Sequence, residues 1–422
     1  MTDAVNGKFL DRAALERLAD WLVVAVAVTL PWSTSATGVC LVLWLLALAP
    51  TLDVAALRRE LSSAAGGLPV LLWVFAILGL AWGQVGFAER LAGVGGYNKL
   101  LIIPLLLIQF RRSDRGLPVL YGFLASCLLL LTVSWVLQIL WILVPEKKLF
   151  VPGKLPGVPV KDYVAQSTEF LVCGFALLAI AMGQVRVRRF ARAAGLVLLA
   201  VLFFVNILYA ATGRTALVVV PVLLLIFGLR ELGWKGTLGA FIAGAILVAA
   251  AWASSPFLRL RVLKSINDVS TYRTDNTVSS SSLRIEFWKK SLAFIAAAPV
   301  IGHGTGMMPK LFRDAAVNEI GPGAFAAVNP HNQYFAVAIE LGLVGLTILI
   351  AMWVAHLALF RGGGIVAWIG LVIVLQNVVS SLFNSHLFDF FHGWFYVIGV
   401  GVLGGMALRA RASPAAATLE AR

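Results

Sequence analysis

About twelve apolar runs fill most of this chain, and they suit helices that cross the roughly 30 Å hydrocarbon core of a bilayer. Backbone exposed to lipid must satisfy its own hydrogen bonds, which a helix does within one segment. Continuous runs, rather than short alternating ones, argue against a membrane barrel. The sequence therefore predicts an all-α, polytopic integral membrane protein with about twelve transmembrane helices. The runs lie near residues 21–32, 38–49, 68–82, 100–110, 117–144, 168–182, 193–211, 216–229, 237–253, 333–360, 365–382 and 390–408.

The composition excludes an ordinary soluble protein. Hydrophobic residues make up 60% of the 422 positions and charged residues 13%, with a mean hydropathy of +0.92, whereas soluble domains contain about 45–50% apolar residues. The net charge of +14 would suggest nucleic acid in a soluble domain. Topology accounts for many of these bases here, so we expect membrane lipids and no nucleic acid as partners. Cys40, Cys127 and Cys173 lie in apolar runs without paired spacing, which indicates neither disulfides nor a zinc site.

The apolar runs divide the chain into five parts. Residues 1–20 alternate apolar and charged side chains, as a cytoplasmic interfacial helix does. Residues 21–254 hold nine transmembrane helices, of which the first two are short enough to form a re-entrant pair instead. Residues 255–330 form one large polar loop with short helices, 331–410 hold three more helices, and 411–422 form a cytoplasmic tail. Only the loop is long enough to build a site of its own.

Basic residues in the short loops predict the orientation. Alternating helices from a cytoplasmic N-terminus brings most short-loop bases to one side, which the positive-inside rule makes the cytoplasm. The large loop then faces the periplasm. The bases on the cytoplasmic side are Arg58, Arg59, Arg111, Arg112, Arg115, Arg186, Arg188, Arg189, Arg192, Arg230, Lys235, Arg361, Arg409 and Arg411.

The large loop carries bases that topology does not explain. Because this side faces away from the anionic cytoplasmic leaflet, their number predicts an anionic ligand. They are Arg259, Arg261, Lys264, Arg273, Arg284, Lys289, Lys290, Lys310 and Arg313.

Two arginines stand out as anion ligands. Arg214 follows Thr212 and Gly213 at the predicted outer end of a helix, where Thr212 can cap and free N–H groups favour an anion. Arg284 follows Ser281 and Ser282, which read as a second capped helix start, so it also falls in a first turn. A guanidinium adds a forked, permanent cation suited to phosphate. A snorkelling or ion-paired arginine is the alternative at each position.

The sequence Asn329-Pro330-His331-Asn332 contains the best candidate for a base. Asn329 is a good N-cap and Pro330 a good first-turn residue, which would hold His331 at the mouth of a membrane helix. The positive helix end would favour the neutral imidazole, which can accept a proton. Asn332 is a possible supporting residue. The alternative is a histidine that only caps or bonds locally.

Other polar residues lie near these candidates. Glu340 is an intramembrane carboxylate whose expected task is to bond a neighbouring helix end, with Gly342 and Gly345 allowing close helix contact. Asn384, His386 and Asp389 form a polar cluster in which a carboxylate could orient His331 or an acceptor hydroxyl, or simply cap the last helix. His303 lies in a glycine run read as a tight connection. No metal-ligand spacing is evident, so we expect neither a metal nor a cofactor.

Several of these motifs together resemble the O-antigen ligase and polymerase superfamily. They are Gly213-Arg214-Thr215, Arg284 with Phe287-Trp288, Pro299 with Gly302, Gly304 and Gly306, His331-Asn332, and Glu340-Leu341-Gly342-Leu343-Val344-Gly345-Leu346. The resemblance implies a GT-C-like glycosyltransferase of the bacterial inner membrane, with its active site facing the periplasm. Such an enzyme moves O-antigen from an undecaprenyl diphosphate carrier to the lipid A-core, completing lipopolysaccharide. The family's paired arginines correspond to Arg214 and Arg284, and its histidine to His331.

The resemblance and the residues lead to one hypothesis: Arg214 and Arg284 bind the donor diphosphate, and His331 is the general base of an inverting, metal-independent transfer. An O-antigen polymerase and a protein O-oligosaccharyltransferase share the carrier and remain alternatives. A transporter or flippase of an anionic lipid is a further alternative, although the polar positions lie at one mouth and no repeated halves with broken helices are evident.

Overall fold

The computed structural model describes residues 11–144, 155–211, 213–255, 258–260, 262–263, 266–267 and 278–412, except for the side chain of Arg214. The protein is all-helical, with 79% of its residues in helices and no strand in these ranges. The predicted fold class, a polytopic helical membrane protein, is confirmed. The free cysteines, Cys40, Cys127 and Cys173, lie within helices.

The sixteen α-helices bounded in these ranges are numbered along the chain. They are α1 (Arg12–Thr29), α2 (Thr34–Leu48), α3 (Val54–Leu61), α4 (Ala64–Leu78), α5 (Phe87–Val94), α6 (Ile102–Arg112), α7 (Gly116–Leu143), α8 (Tyr163–Arg186), α9 (Phe190–Tyr209), α10 (Arg214–Glu231), α11 (Gly233–Ser254), α12 (Ser280–Ala297), α13 (Met308–Asp314), α14 (Gln333–Leu359), α15 (Ile365–Ser380) and α16 (Phe390–Ala412). Short 3-10 turns occupy Ala49–Thr51, Gly79–Ala81, Asn98–Leu101 and Gly321–Ala324.

Every predicted apolar run falls in a helix, but fewer helices than expected can cross a membrane alone. Within the described ranges, eight are long and apolar enough, or nine if the bent pair Phe87–Val94 and Asn98–Arg112 forms one span. The predicted count of about twelve is therefore not confirmed. Hydropathy marks any apolar helix, including ones such as α15, whose 16 residues are largely buried among other helices. A helix packed inside a bundle is apolar whether or not it spans.

The predicted interfacial helix over residues 1–20 is not a separate element in its described part. Asp11 caps α1, which continues without a break to Thr29. Neither glycine nor proline interrupts this stretch, so the amphipathic turns run directly into the apolar ones. Asp20 is buried and accepts hydrogen bonds from Gln109 Nε2 (2.8 Å) and Ser113 Oγ (2.7 Å). Residues 1–10 lie outside the described ranges.

Contacts between the short loops bring their bases to one end of the bundle. We call this the basic end, and the opposite end, where α8, α10, α14 and α16 begin, the site end. The contacts at the basic end are Arg111 with Glu60 (2.8 Å), Arg186 with Glu231 (2.6 Å), Arg230 with the Gly362 carbonyl (2.8 Å) and Arg411 with the Arg361 carbonyl (2.9 Å). Helices that alternate in direction therefore carry their basic termini to a common end.

Candidate active site

His331 lies just before α14 rather than in its first turn. The helix begins at Gln333, and its N-cap is Asn332, whose side chain accepts from the Phe335 N–H (3.2 Å). The side chain of Asn329 instead accepts from the N–H of His331 (2.9 Å), an Asx turn that delays the helix start. His331 itself has a left-handed φ of 51°. The predicted cap at Asn329 was wrong by three residues, because two asparagines competed for that role.

Arg284 lies on a helix that packs against this turn. Ser279 caps α12 and forms a capping box with Ser282, so Arg284 falls in the second turn and not the predicted first. Phe287, three residues later and thus on nearly the same helix face, has its ring 6.3 Å from the ring of His331, at 27°. The helix that carries Arg284 is therefore fixed beside His331.

Arg214 begins α10 at the same end of the bundle. Gly213 occupies the cap position, and a Cβ built on it would meet Ser167 Oγ at 2.6 Å, so the start of α10 packs closely on the start of α8. The first-turn placement predicted for Arg214 is what the backbone shows. The predicted cap, Thr212, and the side chain of Arg214 lie outside the described part of the structure.

A hydrogen-bonded bridge joins α8 to the helices around His331. Gln376 Nε2 on α15 donates to Thr168 Oγ1 of α8 (3.3 Å). At the end of α15, the Ser381 carbonyl accepts from the N–H of Gln333 (2.8 Å), the first residue of α14. The chain positions of Arg214, Arg284 and His331 thus converge on the site end.

The turn between α15 and α16 supplies the partner of His331. Nδ1 of His331 lies 2.9 Å from Oδ1 of Asn384, and Nδ2 of Asn384 donates to Oδ2 of Asp389 (3.0 Å). Asp389 therefore reaches His331 through Asn384 and not directly. The sequence placed these residues in one cluster but could not show which of them touched the histidine.

Two histidines surround the Asp389 carboxylate. Nδ1 of His386 and Nδ1 of His392 lie 3.3 Å and 3.5 Å from Asp389 Oδ2. Burial, and secondarily the nearby His392, lower the pKa of His386 to about 4, so His386 is neutral near pH 7. Burial alone would raise the pKa of Asp389, but hydrogen bonds from both histidines outweigh it and hold that pKa below its ordinary value.

These three residues also have ligand atoms within 4.8 Å of one another, close enough to share a metal ion. Their spacing, His386-x-x-Asp389-x-x-His392, was missed in the sequence, where no metal-ligand pattern was expected. The distances of 3.3 Å and 3.5 Å from the two histidines to Asp389 are those of long hydrogen bonds. Such hydrogen bonds explain why the three side chains lie together without a metal.

Lys99 and Tyr97 hold this turn and were not singled out in the sequence. Lys99 Nζ, buried under the start of α16, donates to the carbonyls of Phe388 (3.2 Å) and Asp389 (2.7 Å). The ring of Tyr97 packs edge-on against Phe388 at 4.9 Å. A lysine at the edge of an apolar run was the available signal, since such a residue is costly in a membrane and needs a partner.

A break in α14 receives a loop from the large polar segment. At Gly342 the backbone turns to φ 64° and ψ −164°, leaving helical hydrogen-bonding groups free on both sides. The N–H groups of His303 and Gly304 donate to the carbonyls of Ile339 and Glu340 (both 2.9 Å). In return, the N–H groups of Leu343 and Val344 donate to the carbonyls of Pro299 (2.8 Å) and Val300 (3.2 Å). Gly342 was expected to allow helix contact, but it accommodates this loop instead.

The side chain of Glu340 also contributes to the contact between this loop and α14. Its carboxylate accepts from the Gly306 N–H (3.0 Å) and the Tyr97 hydroxyl (3.2 Å), and the residue is buried. Glu340 therefore bonds the loop at Gly306 and Tyr97, which lies between α5 and α6, and it does not reach the turn that holds His331. The side chain of His303 lies 2.8 Å from the Phe294 carbonyl through Nε2, a local contact.

The loop bases are less available than the sequence suggested. Lys289, Lys310 and Arg313 pair with Glu286, Asp314 and Glu89, and Lys290 Nζ donates to the carbonyls of Ala315 (2.8 Å) and Gly323 (2.6 Å). Arg261, Lys264 and Arg273 lie outside the described ranges. The inference of an anionic ligand therefore depends on a few arginines and not on all nine basic residues of the large loop.

Fold and site together define a multi-pass membrane protein with a histidine-centred polar site at one end of its helices. Residues 198–350 match the model of the O-Antigen ligase family (Wzy_C), a stretch that runs from α9 into α14 and includes Arg214, Arg284, His331 and Glu340. The match confirms, over these residues, the resemblance that the motifs carry. Comparison with curated proteins gives no match.

The family is one of enzymes of the O-antigen ligase and polymerase type. It implies partners of two kinds, a donor in which polysaccharide is attached to a lipid and a lipid acceptor. Asn384, His386 and Asp389 lie beyond the matched stretch, so the family model does not address them.

Proposed function

We propose that this protein is an inverting glycosyltransferase that moves O-antigen polysaccharide from undecaprenyl diphosphate to a sugar hydroxyl of the lipid A-core. The observation that carries the proposal is the packing of Phe287 against His331, which brings the helix of Arg284 to the histidine within the matched family segment. A cation and a proton acceptor in one place suit transfer from a diphosphate donor.

The proposed reaction is a single displacement at the anomeric carbon. The acceptor oxygen bonds to that carbon while the carbon–oxygen bond to the diphosphate breaks, and the electron pair leaves with the diphosphate. Arg284 and Arg214 stabilise the growing negative charge. His331 takes the proton of the acceptor hydroxyl. Attack from the face opposite the leaving group inverts the configuration, and no metal or other cofactor takes part.

The proposed orientation follows from the basic end. If that end faces the cytoplasm, as the positive-inside rule favours, the site end faces the periplasm of the inner membrane. Residues 255–330 then form the periplasmic part. Residues 411–422 would be cytoplasmic, on the same side as the start of α1.

The break in α14 supports an enzyme over a transporter. Broken helices in transporters bind substrate with their exposed backbone groups. Here the backbone groups beside Gly342 are hydrogen-bonded to residues 299–304 of the same chain, which leaves them unavailable to a transported ligand. Transport of carrier-linked glycan by sealed vesicles without acceptor would contradict the proposal.

The test is transfer by purified protein from a labelled polyprenyl diphosphate-linked glycan to rough lipopolysaccharide. His331→Ala and Arg284→Ala should each insert and fold but lose about 100-fold or more in rate. Lys289→Ala removes a cation from the same helix and should transfer normally, since Lys289 is exposed and pairs with Glu286. Near-normal transfer by His331→Ala would remove the base assignment.

The acceptor distinguishes the related activities. Lengthening of the glycan on its carrier would indicate a polymerase, and transfer to an acceptor protein would indicate an oligosaccharyltransferase. Labelled rough lipopolysaccharide, formed only when the carrier-linked donor is present, is the product expected here.

A further inference from the structure

Asn384 connects His331 to a carboxylate in an arrangement that fixes the direction of its amide. Its two polar atoms contact different partners, Oδ1 facing His331 Nδ1 at 2.9 Å and Nδ2 facing Asp389 Oδ2 at 3.0 Å. An ionised carboxylate only accepts hydrogen bonds, so the amide NH₂ must face Asp389. Turning the amide around would set two oxygens against each other. The carbonyl of Asn384 therefore faces His331.

The Asp389 end of this bridge is anchored independently. His386 and His392 each direct Nδ1 at the same carboxylate oxygen, and Lys99 Nζ holds the backbone carbonyl of Asp389 (2.7 Å). The His331 end is held by the Asn329 side chain, which binds its N–H (2.9 Å). The bridge thus joins two turns whose positions do not depend on Asn384 alone.

A carbonyl oxygen accepts but cannot donate, so the facing Nδ1 of His331 must carry the hydrogen. In a neutral imidazole the other nitrogen, Nε2, is then bare and able to accept a proton. We propose that Asn384 is a positioning residue that holds His331 in the Nδ1–H tautomer, and that Nε2 is the atom that takes the proton of the acceptor hydroxyl. The second half of this inference rests on the proposed function.

The arrangement also stabilises the product of that step. As the acceptor oxygen bonds to the anomeric carbon and the diphosphate leaves with the electron pair, the hydroxyl proton moves to Nε2 and the ring becomes an imidazolium. Its Nδ1–H then donates to Asn384, whose amide is polarised by the Asp389 carboxylate. A hydrogen-bonded carboxylate behind a histidine stabilises the imidazolium in serine hydrolases; here the amide transmits the effect.

The tautomer can be measured without activity. In full-length protein with ¹⁵N-labelled histidine, the signals of His331 are identified among the five histidines by their loss in His331→Gln. At a pH where the ring is neutral, wild type should show a protonated Nδ1 and a bare Nε2. Asn384→Leu, which removes the acceptor at similar size, should show a mixture or the reversed tautomer. Asn377→Leu, in which a buried asparagine of α15 is replaced in the same way, should keep the wild-type signals.

Kinetics provide the second measurement. Asn384→Leu should lower kcat about 100-fold, with the donor KM changed little, because a general base in the wrong tautomer cannot act. The double variant Asn384→Asp with Asp389→Asn exchanges the carboxylate and the amide between the two positions. An oxygen that accepts a hydrogen bond still faces Nδ1 of His331. The double variant should recover much of the rate and the Nδ1–H signal, which a merely structural role for Asn384 would not predict. If Asn384→Leu does not fold, this double variant and Asp389→Asn alone carry the test.

Each result has a distinct meaning. An unchanged tautomer and rate in Asn384→Leu would overturn the positioning role, as would a double variant that folds but recovers neither. An active His331→Ala would remove the base assignment, and absence of transfer by the wild type would refute the proposed function. In both cases the spectrum would still report whether Asn384 holds His331 in the Nδ1–H tautomer.

Discussion

Replacing Gly342 by alanine tests whether the break in α14 is required by the fold. A Cβ at this position would lie 2.2 Å from the Val300 carbonyl oxygen and 2.3 Å from its carbon, which are backbone atoms. The φ and ψ of Gly342 are also accessible almost exclusively to glycine, and another residue there costs about 1–3 kcal/mol. Either the loop 299–304 withdraws or the helix backbone shifts.

Withdrawal of the loop would break four backbone hydrogen bonds between the loop and α14. Each hydrogen bond contributes about 0.5–1.5 kcal/mol to the free energy of unfolding if water can bond the freed groups, and more if those groups stay buried without a partner. Together with the backbone strain, Gly342→Ala should therefore lower the free energy of unfolding by about 3 kcal/mol or more.

Thermal unfolding in detergent measures this loss. The apparent midpoint of Gly342→Ala should fall by about 5 °C or more, and transfer should fall with it. Gly195→Ala is the matched control, because a Cβ on that glycine of α9 meets nothing within 4 Å and alanine is favoured in a helix. If Gly342→Ala matches Gly195→Ala in stability and transfer, the loop does not hold the break as described.

Two other perturbations probe the turn around Asp389. Lys99→Met keeps most of the length of the side chain but removes the ammonium that binds the carbonyls of Phe388 and Asp389. The rate of transfer should fall about tenfold. An unchanged rate would show that the turn keeps its conformation without Lys99. A chelator should leave transfer by the purified protein unchanged, because the proposed chemistry relies on arginines. Loss of transfer that Zn²⁺ restores would instead assign a metal to His386, Asp389 and His392.

The sequence determined the helices because their signal is local. Each apolar run became a helix, since hydrophobic side chains and an unsatisfied backbone leave a membrane segment little choice. Motifs that depend on neighbouring residues were also recoverable, such as the capped start of α12 and the helix that begins at Arg214. Errors at this level were small shifts, as at His331, where two asparagines within one turn offered competing caps.

Only the tertiary structure decided which of these groups meet. Phe287 and His331 are far apart in the sequence yet neighbours in space, and the pairing of His331 with Asn384 joins two loops across α14 and α15. The sequence around Gly302 predicts only a tight turn, and the structure shows that this turn hydrogen-bonds to the backbone of α14 beside the break at Gly342. Hydropathy and propensity describe one segment at a time, whereas hydrogen bonds between segments depend on how the bundle packs. For this reason the sequence predicted a membrane protein with a candidate base, and the fold decided what holds that base in place.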